Sequence, residues 1–382
     1  MREHAVIEKF SSAILIAAVL ALPVRVVHAD EAAALSELRA RTAVKQTFPD
    51  APVPSVKNPR AAGRNVTAEY YSVSSAVAVE GAELGGFDRE RFLGYRILVV
   101  PGFMTDTVVD PGLRYMNGRI SAPGASLRAR SVKSRVAADK LVKSVMAFAY
   151  FEEQVNWLRA NGLDAGIAHI ESESGIARNA ALIAVEIERS PKPVIILGHS
   201  KGGLDSLEAL IGRPDLRGKV RGFISIQSPY YGTPIADYVL LGRHSLAPVS
   251  AAILTLMGGS LRSVQDMSVR HRRDYQYKNA AEIARITSAI PTISFGAWKD
   301  EEKGVRDTWL KPTRDIMLKW NGGRGIKNDG LVPVDSEMLP GADQIEVEGL
   351  DHLAPVINVG RPEMNRVNFI KTLLTMLAAR GV

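Results

Sequence analysis

The chain contains no cysteine among its 382 residues, so no disulfide can brace it and its stability must come from packing alone. It has no internal repeat and no low-complexity tract, which excludes solenoid and collagen-like architectures. After the N-terminal apolar run ending at Val24, no stretch is as long as the ~18 apolar residues of a membrane-spanning helix. A strong charge of one sign is also missing: 48 Lys and Arg stand against 41 Asp and Glu, a net +7 spread along the chain. That dispersed excess speaks for solubility and weak attraction to anions, not for a nucleic-acid surface. What is present is a composition that is 46% hydrophobic and 23% charged. It excludes intrinsic disorder and supplies ample material for a large core. The length allows two average domains or one large α/β domain with insertions.

The N-terminus carries Arg2 and Lys9, then the apolar run Ser11 to Val24, then Val27-His28-Ala29 ahead of Asp30. This three-part pattern predicts a secretory signal peptide over residues 1–29, and with it export to the periplasm or the medium. The alternative is an uncleaved anchor, but the run is shorter than the ~20 residues a spanning helix needs. Residues 30–92 read as an N-terminal extension, dotted with Pro49, Pro52, Pro54 and Pro59 in its first part. Residues 93–382 form the main domain.

From Tyr95 short β-rich runs alternate with helical patterns. The strand candidates are Arg96–Val100, Gly166–Ile170, Val194–Leu197, Gly222–Ile226, Thr292–Phe295 and Gln344–Val347. Between them lie stripes at helical spacing, such as Ile176, Ala180, Ile183, Ala184 and Ile187, and a closing one through Val367, Ile370, Leu373, Leu374 and Leu377 begun by Pro362. Fully apolar strands alternating with helices predict an α/β fold, a mostly parallel sheet covered on both faces. Residues 238–289 break the rhythm with helical patterns and no convincing strand. They are a candidate lid or cap, the alternative being extra core helices.

Gly198-His199-Ser200-Lys201-Gly202-Gly203 matches G-x-S-x-G. It follows an apolar strand directly and opens a helix through Leu204, Leu207, Leu210 and Ile211 that stops at Gly212-Arg213-Pro214. Strand, sharp turn and helix form the setting in which a serine hydroxyl is pushed out and exposed, with glycines where strand and helix converge. The helix N-terminus behind Ser200 helps to hold developing negative charge.

On this box and the strand order the chain resembles the α/β-hydrolases of the bacterial lipase and esterase type, from about Tyr95 to the C-terminus. A serine nucleophile needs an imidazole, and the imidazole needs a carboxylate. Among the histidines after the leader, only His352 in Gly349-Leu-Asp-His-Leu353 follows the last strand, where a loop can carry it back over the serine. The resemblance places the family's histidine there too. Asn328-Asp329-Gly330-Leu331-Val332 is similar to the N-D-G-L-V segment of these lipases and makes Asp329 the acid, with Asp351 and Asp335 as rivals. The order Ser200, Asp329, His352 is that of the fold. For the oxyanion, one backbone N–H is expected from Lys201. The other is expected from Phe103 in Pro101-Gly102-Phe103-Met104, with Met104 as alternative. Related lipases carry histidine where Pro101 stands, so the hydrogen bond of that histidine must be lost or supplied differently.

Gln227-Ser-Pro-Tyr-Tyr-Gly-Thr-Pro-Ile-Ala-Asp237 resembles a run that follows the sixth strand of many lipases. It is expected to frame the pocket and start the lid, with Tyr230 and Tyr231 lining an acyl groove or packing in the core. No cofactor is implied. The calcium-dependent relatives carry an aspartate where Ala354 stands, so no metal is carried over. His169-x-Glu171-x-Glu173 mimics a ligand set without supporting residues. Basic residues across Arg128–Lys143 and Arg270–Arg273 read as solvated helix faces, or as a weak attraction to an anionic lipid surface. The expectation is an exported hydrolase of carboxylic esters, with lipid-like acyl chains as substrate. A polyester (polyhydroxyalkanoate-type) depolymerase or an acyltransferase would use the same three residues. A non-catalytic binding module on the same fold is the reading from another class. Oligomeric state is not legible.

Overall fold

Strands rich in β-branched residues and buried on both faces dictate the architecture. In the computed structural model, Arg96–Val100, Val194–His199, Val220–Ile226 and Thr292–Trp298 are almost wholly buried. The structure describes residues 63–78, 85–102, 150–171, 174–240, 261–299, 310, 313–314, 316–317, 326–357 and 364–382. The leader, Phe103, Met104, Arg128–Lys143 and the apolar run 251–257 lie outside them.

Among the described residues the strands are β1 (Arg64–Asn65), β2 (Arg96–Val100), β3 (Asp164–Ile167), β4 (Val194–His199), β5 (Val220–Ile226), β6 (Thr292–Trp298) and β7 (Asp343–Glu348). They form one sheet in the order β1-β7-β6-β5-β4-β2-β3, and every pairing is parallel. The helices are α1 (Thr67–Val77), α2 (Glu152–Ala160), α3 (Ile176–Arg189), α4 (Lys201–Gly212), α5 (Pro234–Leu240), α6 (Leu261–Asp266), α7 (Val269–Lys278), α8 (Ala280–Ala289) and α9 (Arg366–Ala378). Side chains alternate across each strand. Ile97, Val99, Ile195 and Leu197 face one core with residues of α1, α2 and α9. Leu98, Val100, Val194 and Ile196 face the other with residues of α3, α4 and α8. The fold class read from the alternation is the one observed.

Differences are local. The third strand starts at Asp164 because Arg96 pairs with Asp164, and it ends where Val99 pairs with Ile167. The closing helix begins at Arg366, not at Pro362, because the Asn365 side chain caps it by accepting the Asn368 N–H at 2.8 Å. β1 and α1 precede the visible alternation; a two-residue strand has no periodicity to read. The segment 238–289 holds helices and the short turns between them wherever it is described, and its last part is core: Ile283 and Ile286 of α8 are buried in the cluster shared with α3 and α4. In Arg270–Arg273 three side chains are exposed. Arg272 is the exception, buried with its guanidinium 4.1 Å from the Tyr275 ring centroid and its Nε on the Tyr230 carbonyl. Among the described residues no helix is long and apolar enough to cross a membrane.

Candidate active site

A parallel sheet delivers all its strand C-termini to one edge. The loop after β2 brings Gly102 there, the turn after β4 brings Ser200, and the segments after β6 and β7 bring Asp329 and His352. Ser200 sits between strand and helix at φ 54°, ψ −128°, a backbone conformation that costs about 1–3 kcal/mol for a residue with a side chain. The close approach explains the flanking glycines. A Cβ on Gly198 would lie 2.8 Å from Gly203 Cα, and one on Gly202 would run into the Val100 carbonyl.

The three sequence candidates meet. Ser200 Oγ lies 2.9 Å from His352 Nε2, and His352 Nδ1 lies 2.5 Å from Asp329 Oδ2. Asp329 is held by its own turn: Oδ1 accepts the N–H groups of Leu331 at 2.9 Å and Val332 at 2.7 Å. Burial would raise the Asp329 pKa. The attraction of His352 and the hydrogen bonds from His352, Glu337 and Leu331 outweigh it and leave the carboxyl below its ordinary value. An ionised Asp329 only accepts, which fixes the His352 proton on Nδ1 and leaves Nε2 as an acceptor for the serine. The rivals do other work. Asp351 Oδ1 accepts the Leu353 and Ala354 N–H groups at 2.9 and 3.0 Å and shapes the histidine loop. Asp335 is exposed at the surface.

A cleft opens beside this chain, lined by Gly102, Ser200, Lys201, Pro229, Thr233, Met267, Leu331, Val332 and His352. Pro229 and Thr233 come from the expected framing run, which is stitched to the Asp329 loop. Thr233 Oγ1 donates to the Leu331 carbonyl at 2.6 Å, and Ser336 Oγ donates to that of Gly232 at 2.5 Å. Tyr230 is fully buried in the core and Tyr231 packs against the same cluster. Neither lines this cleft; of the framing run, Pro229 and Thr233 do.

Lys201 begins α4, so its backbone N–H has no partner within the helix and borders the cleft. Its side chain turns inward instead, with Nζ 3.0 Å from both Asp205 oxygens and Asn179 completing the group at 2.9 Å. Burial raises Asp205 to about 6.

The loop after β2 is braced by a residue the sequence did not single out. Tyr150 accepts the Gly102 N–H at 3.1 Å and hydrogen-bonds His199 Nδ1, while His199 Nε2 reaches the His352 carbonyl at 3.0 Å. Burial, together with the nearby His352, lowers the His199 pKa well below its ordinary 6.5. A neutral ring then accepts from the tyrosine and donates to the carbonyl. This string supplies the support that Pro101 cannot, and it ties the Gly102 loop to the His352 loop through the residue before Ser200. Spacing carries no sign of it, since Tyr150 and His199 are 49 residues apart.

As for metals, His169 faces Glu186 and Glu171 is paired with Arg178, so those two are committed elsewhere, and Glu173 lies outside the described residues. Among the described residues Asp329, Glu337 and His352 offer ligand atoms within 4.8 Å of one another. The Asp329 and His352 atoms are spent on each other.

Asp237 closes the framing run and accepts the Val269 N–H at 3.2 Å. Burial raises its pKa from 3.8 to about 7. Between those values the folded chain keeps a proton that the unfolded chain releases, so stability falls as pH rises across that window. Asp237→Asn keeps the acceptor and needs no proton. Its Tm is expected to exceed that of the wild type at about pH 8 and to match it at about pH 4, checked by thermal denaturation at both. A gap equal at the two pH values would refute the assignment.

No family model matches the chain, and no curated protein matches it. Among solved structures the chain is similar to a carboxyl esterase of metagenomic origin, at 19% identity over 75% of this chain and 76% of that one, with a TM-score of 0.53. It is also similar to the mature form of a lipase from Bacillus licheniformis, at 18% identity over 75% of this chain and 90% of that one, with a TM-score of 0.46. The likeness to the esterase shows the fold alone, which is α/β-hydrolase-like.

Proposed function

We propose that the protein is a serine hydrolase that cleaves carboxylic esters through an acyl-enzyme. The observation that carries this reading is the unbroken chain from Ser200 Oγ through His352 to Asp329 at the mouth of a cleft. Ser200 Oγ attacks the ester carbonyl while His352 Nε2 takes its proton. Asp329 keeps the imidazole in the required tautomer and stabilises the imidazolium. The tetrahedral oxyanion is held by the N–H of Lys201 at the start of α4 and by that of Phe103. The Gly102 N–H is committed to Tyr150, which is compatible with a donor further along the loop, Phe103 or the alternative Met104. His352 then protonates the departing alcohol. It next deprotonates a water that attacks the acyl group, which releases the acid and restores Ser200.

The apolar lining by Met267, Leu331 and Val332 favours acyl chains over polar groups. The fold likeness to a carboxyl esterase agrees with the reading. Residues 1–29 are read as an export signal and the part of 238–289 before the core helix α8 as the lid; both stand as proposals.

The test is hydrolysis of p-nitrophenyl esters from acetyl to palmitoyl, beside labelling with a fluorophosphonate. Turnover of at least one ester and a single label on Ser200 are expected. No turnover across the series together with no label would end the hydrolase reading.

A further inference from the structure

We propose that Glu337 is a positioning residue of this site: a neutral carboxylic acid that donates its proton from Oε1 to the Asp329 carboxylate. The proposal rests on the reading of Ser200, His352 and Asp329 given above.

Glu337 ends a 3-10 turn, Val334–Glu337, that follows the Asp329 loop, and its side chain is fully buried. Its Oε2 accepts the Ala297 N–H from β6 at 2.8 Å. Among the described residues no donor reaches Oε1, although that atom is shut off from solvent. A buried carboxylate oxygen without a donor is costly, and two carboxylates at this separation do not both ionise. One oxygen of Glu337 lies within 4.8 Å of an oxygen of Asp329.

Donor counting decides which of the two is the acid. Among the described residues the Asp329 carboxylate accepts from Leu331, Val332 and His352, whereas the Glu337 side chain accepts from Ala297 alone. The proton therefore belongs to Glu337, where it turns the orphaned Oε1 into a donor and fills the remaining site on Asp329. The electrostatics agree. Burial, then the charge of Asp329 and its hydrogen bond, push the Glu337 pKa well above its ordinary 4.5. The titratable groups facing it are Asp329, His352 and, from β7, Glu346.

A complete set of donors holds the Asp329 carboxylate in one orientation and spreads its charge, so that it orients His352 without gripping its proton too tightly. Kinetics and unfolding of Glu337→Gln and Glu337→Met test this. Gln keeps both functions, an N–H toward Asp329 and a carbonyl toward Ala297, whereas Met keeps only volume. Met is expected to lower kcat about 10–100-fold at unchanged KM, as loss of a supporting hydrogen bond does elsewhere. It should also move the acid limb of the kcat/KM profile to higher pH, because a bare Asp329 binds its proton partner more strongly. Gln is expected to recover activity to within about threefold of wild type, with the wild-type acid limb.

Unfolding reads the proton without catalysis. The folded chain keeps the Glu337 proton above 4.5 and the unfolded chain does not, so wild-type stability falls as pH rises. The Tm advantage of Glu337→Gln over wild type must therefore grow between about pH 5 and about pH 8. Equal impairment of Gln and Met, a Met variant with wild-type kinetics, or a Tm difference flat with pH would each overturn the proposal. Wild-type protein inactive on every ester, with the Tm difference still growing with pH, would instead sink the hydrolase reading and leave the acid–carboxylate pair standing.

Discussion

Ester hydrolysis by Ser200→Ala is expected to fall by about 10⁴–10⁶ in kcat, with KM little changed. The substitution removes one oxygen and keeps the Cβ, so the φ of 54° at the turn and the packing around it stay as they are. His352 keeps its bond to Asp329. Among the described lining residues no other hydroxyl or amine is free to attack: Thr233 donates its hydroxyl to the Leu331 carbonyl, and the Lys201 amine is buried on Asp205. What survives is the contribution of the oxyanion donors and of substrate binding, about 10³–10⁴ over water in enzymes of this kind. Fluorophosphonate labelling should vanish with the activity, and Tm should stay close to that of the wild type. A loss of less than about tenfold would show that Ser200 is not the attacking group.

Asp329→Asn should cost nearly as much, about 10⁴ in kcat, for a different reason. The amide could preserve the His352 tautomer only by turning its oxygen toward Nδ1. That turn aims the NH₂ group at the Leu331 and Val332 N–H groups, which now donate to Oδ1 at 2.9 and 2.7 Å. Donor would face donor twice. The amide therefore keeps its oxygen on the turn and presents N–H to Nδ1, which drives the ring proton to Nε2 and blocks acceptance from Ser200. A rate–pH profile distinguishes this from simple damage: the variant should gain activity steadily toward alkaline pH while its Tm stays near the wild-type value. Wild-type turnover near neutrality would rule out the orienting role.

Much of this was legible because it is written in local chain geometry. The box around Ser200 needs glycines within a few residues of the serine, the Asn328–Val332 turn needs its Asp-Gly step, and apolar strands betray a sheet covered on both faces. What was not legible depends on contacts between distant segments. Tyr150 meets His199 and Gly102 across 49 and 48 residues, and Glu337 meets Ala297 across 40. No period or motif marks such pairs. Arg272 lies in a basic run that looks solvated, and only packing of α7 onto Tyr230 turns it inward. The tyrosine pair is a case of the same kind, since apolar spacing alone does not tell a groove wall from a core.

The position of β1 bears on how the chain folds. Among the described residues Arg64 and Asn65 take their strand pairing from Asp343 and Gln344, a separation of 279 residues in sequence. α1 closes on the far end of the chain as well: Lys371 donates to the Val77 carbonyl at 2.9 Å, and Arg380 pairs with Glu69. During synthesis this N-terminal unit lacks its partner strand until β7 exists and the contacts of Val77 and Glu69 with α9 until that helix exists. Tyr70, buried in the finished molecule, also rests on Phe295 of β6, 5.7 Å between ring centroids. The central strands can assemble beforehand, so the earliest of the described residues to be made are among the last to settle. Closing so long a loop is slow, and the waiting state is the one in which the chain is most open to chaperones, proteases and its own neighbours.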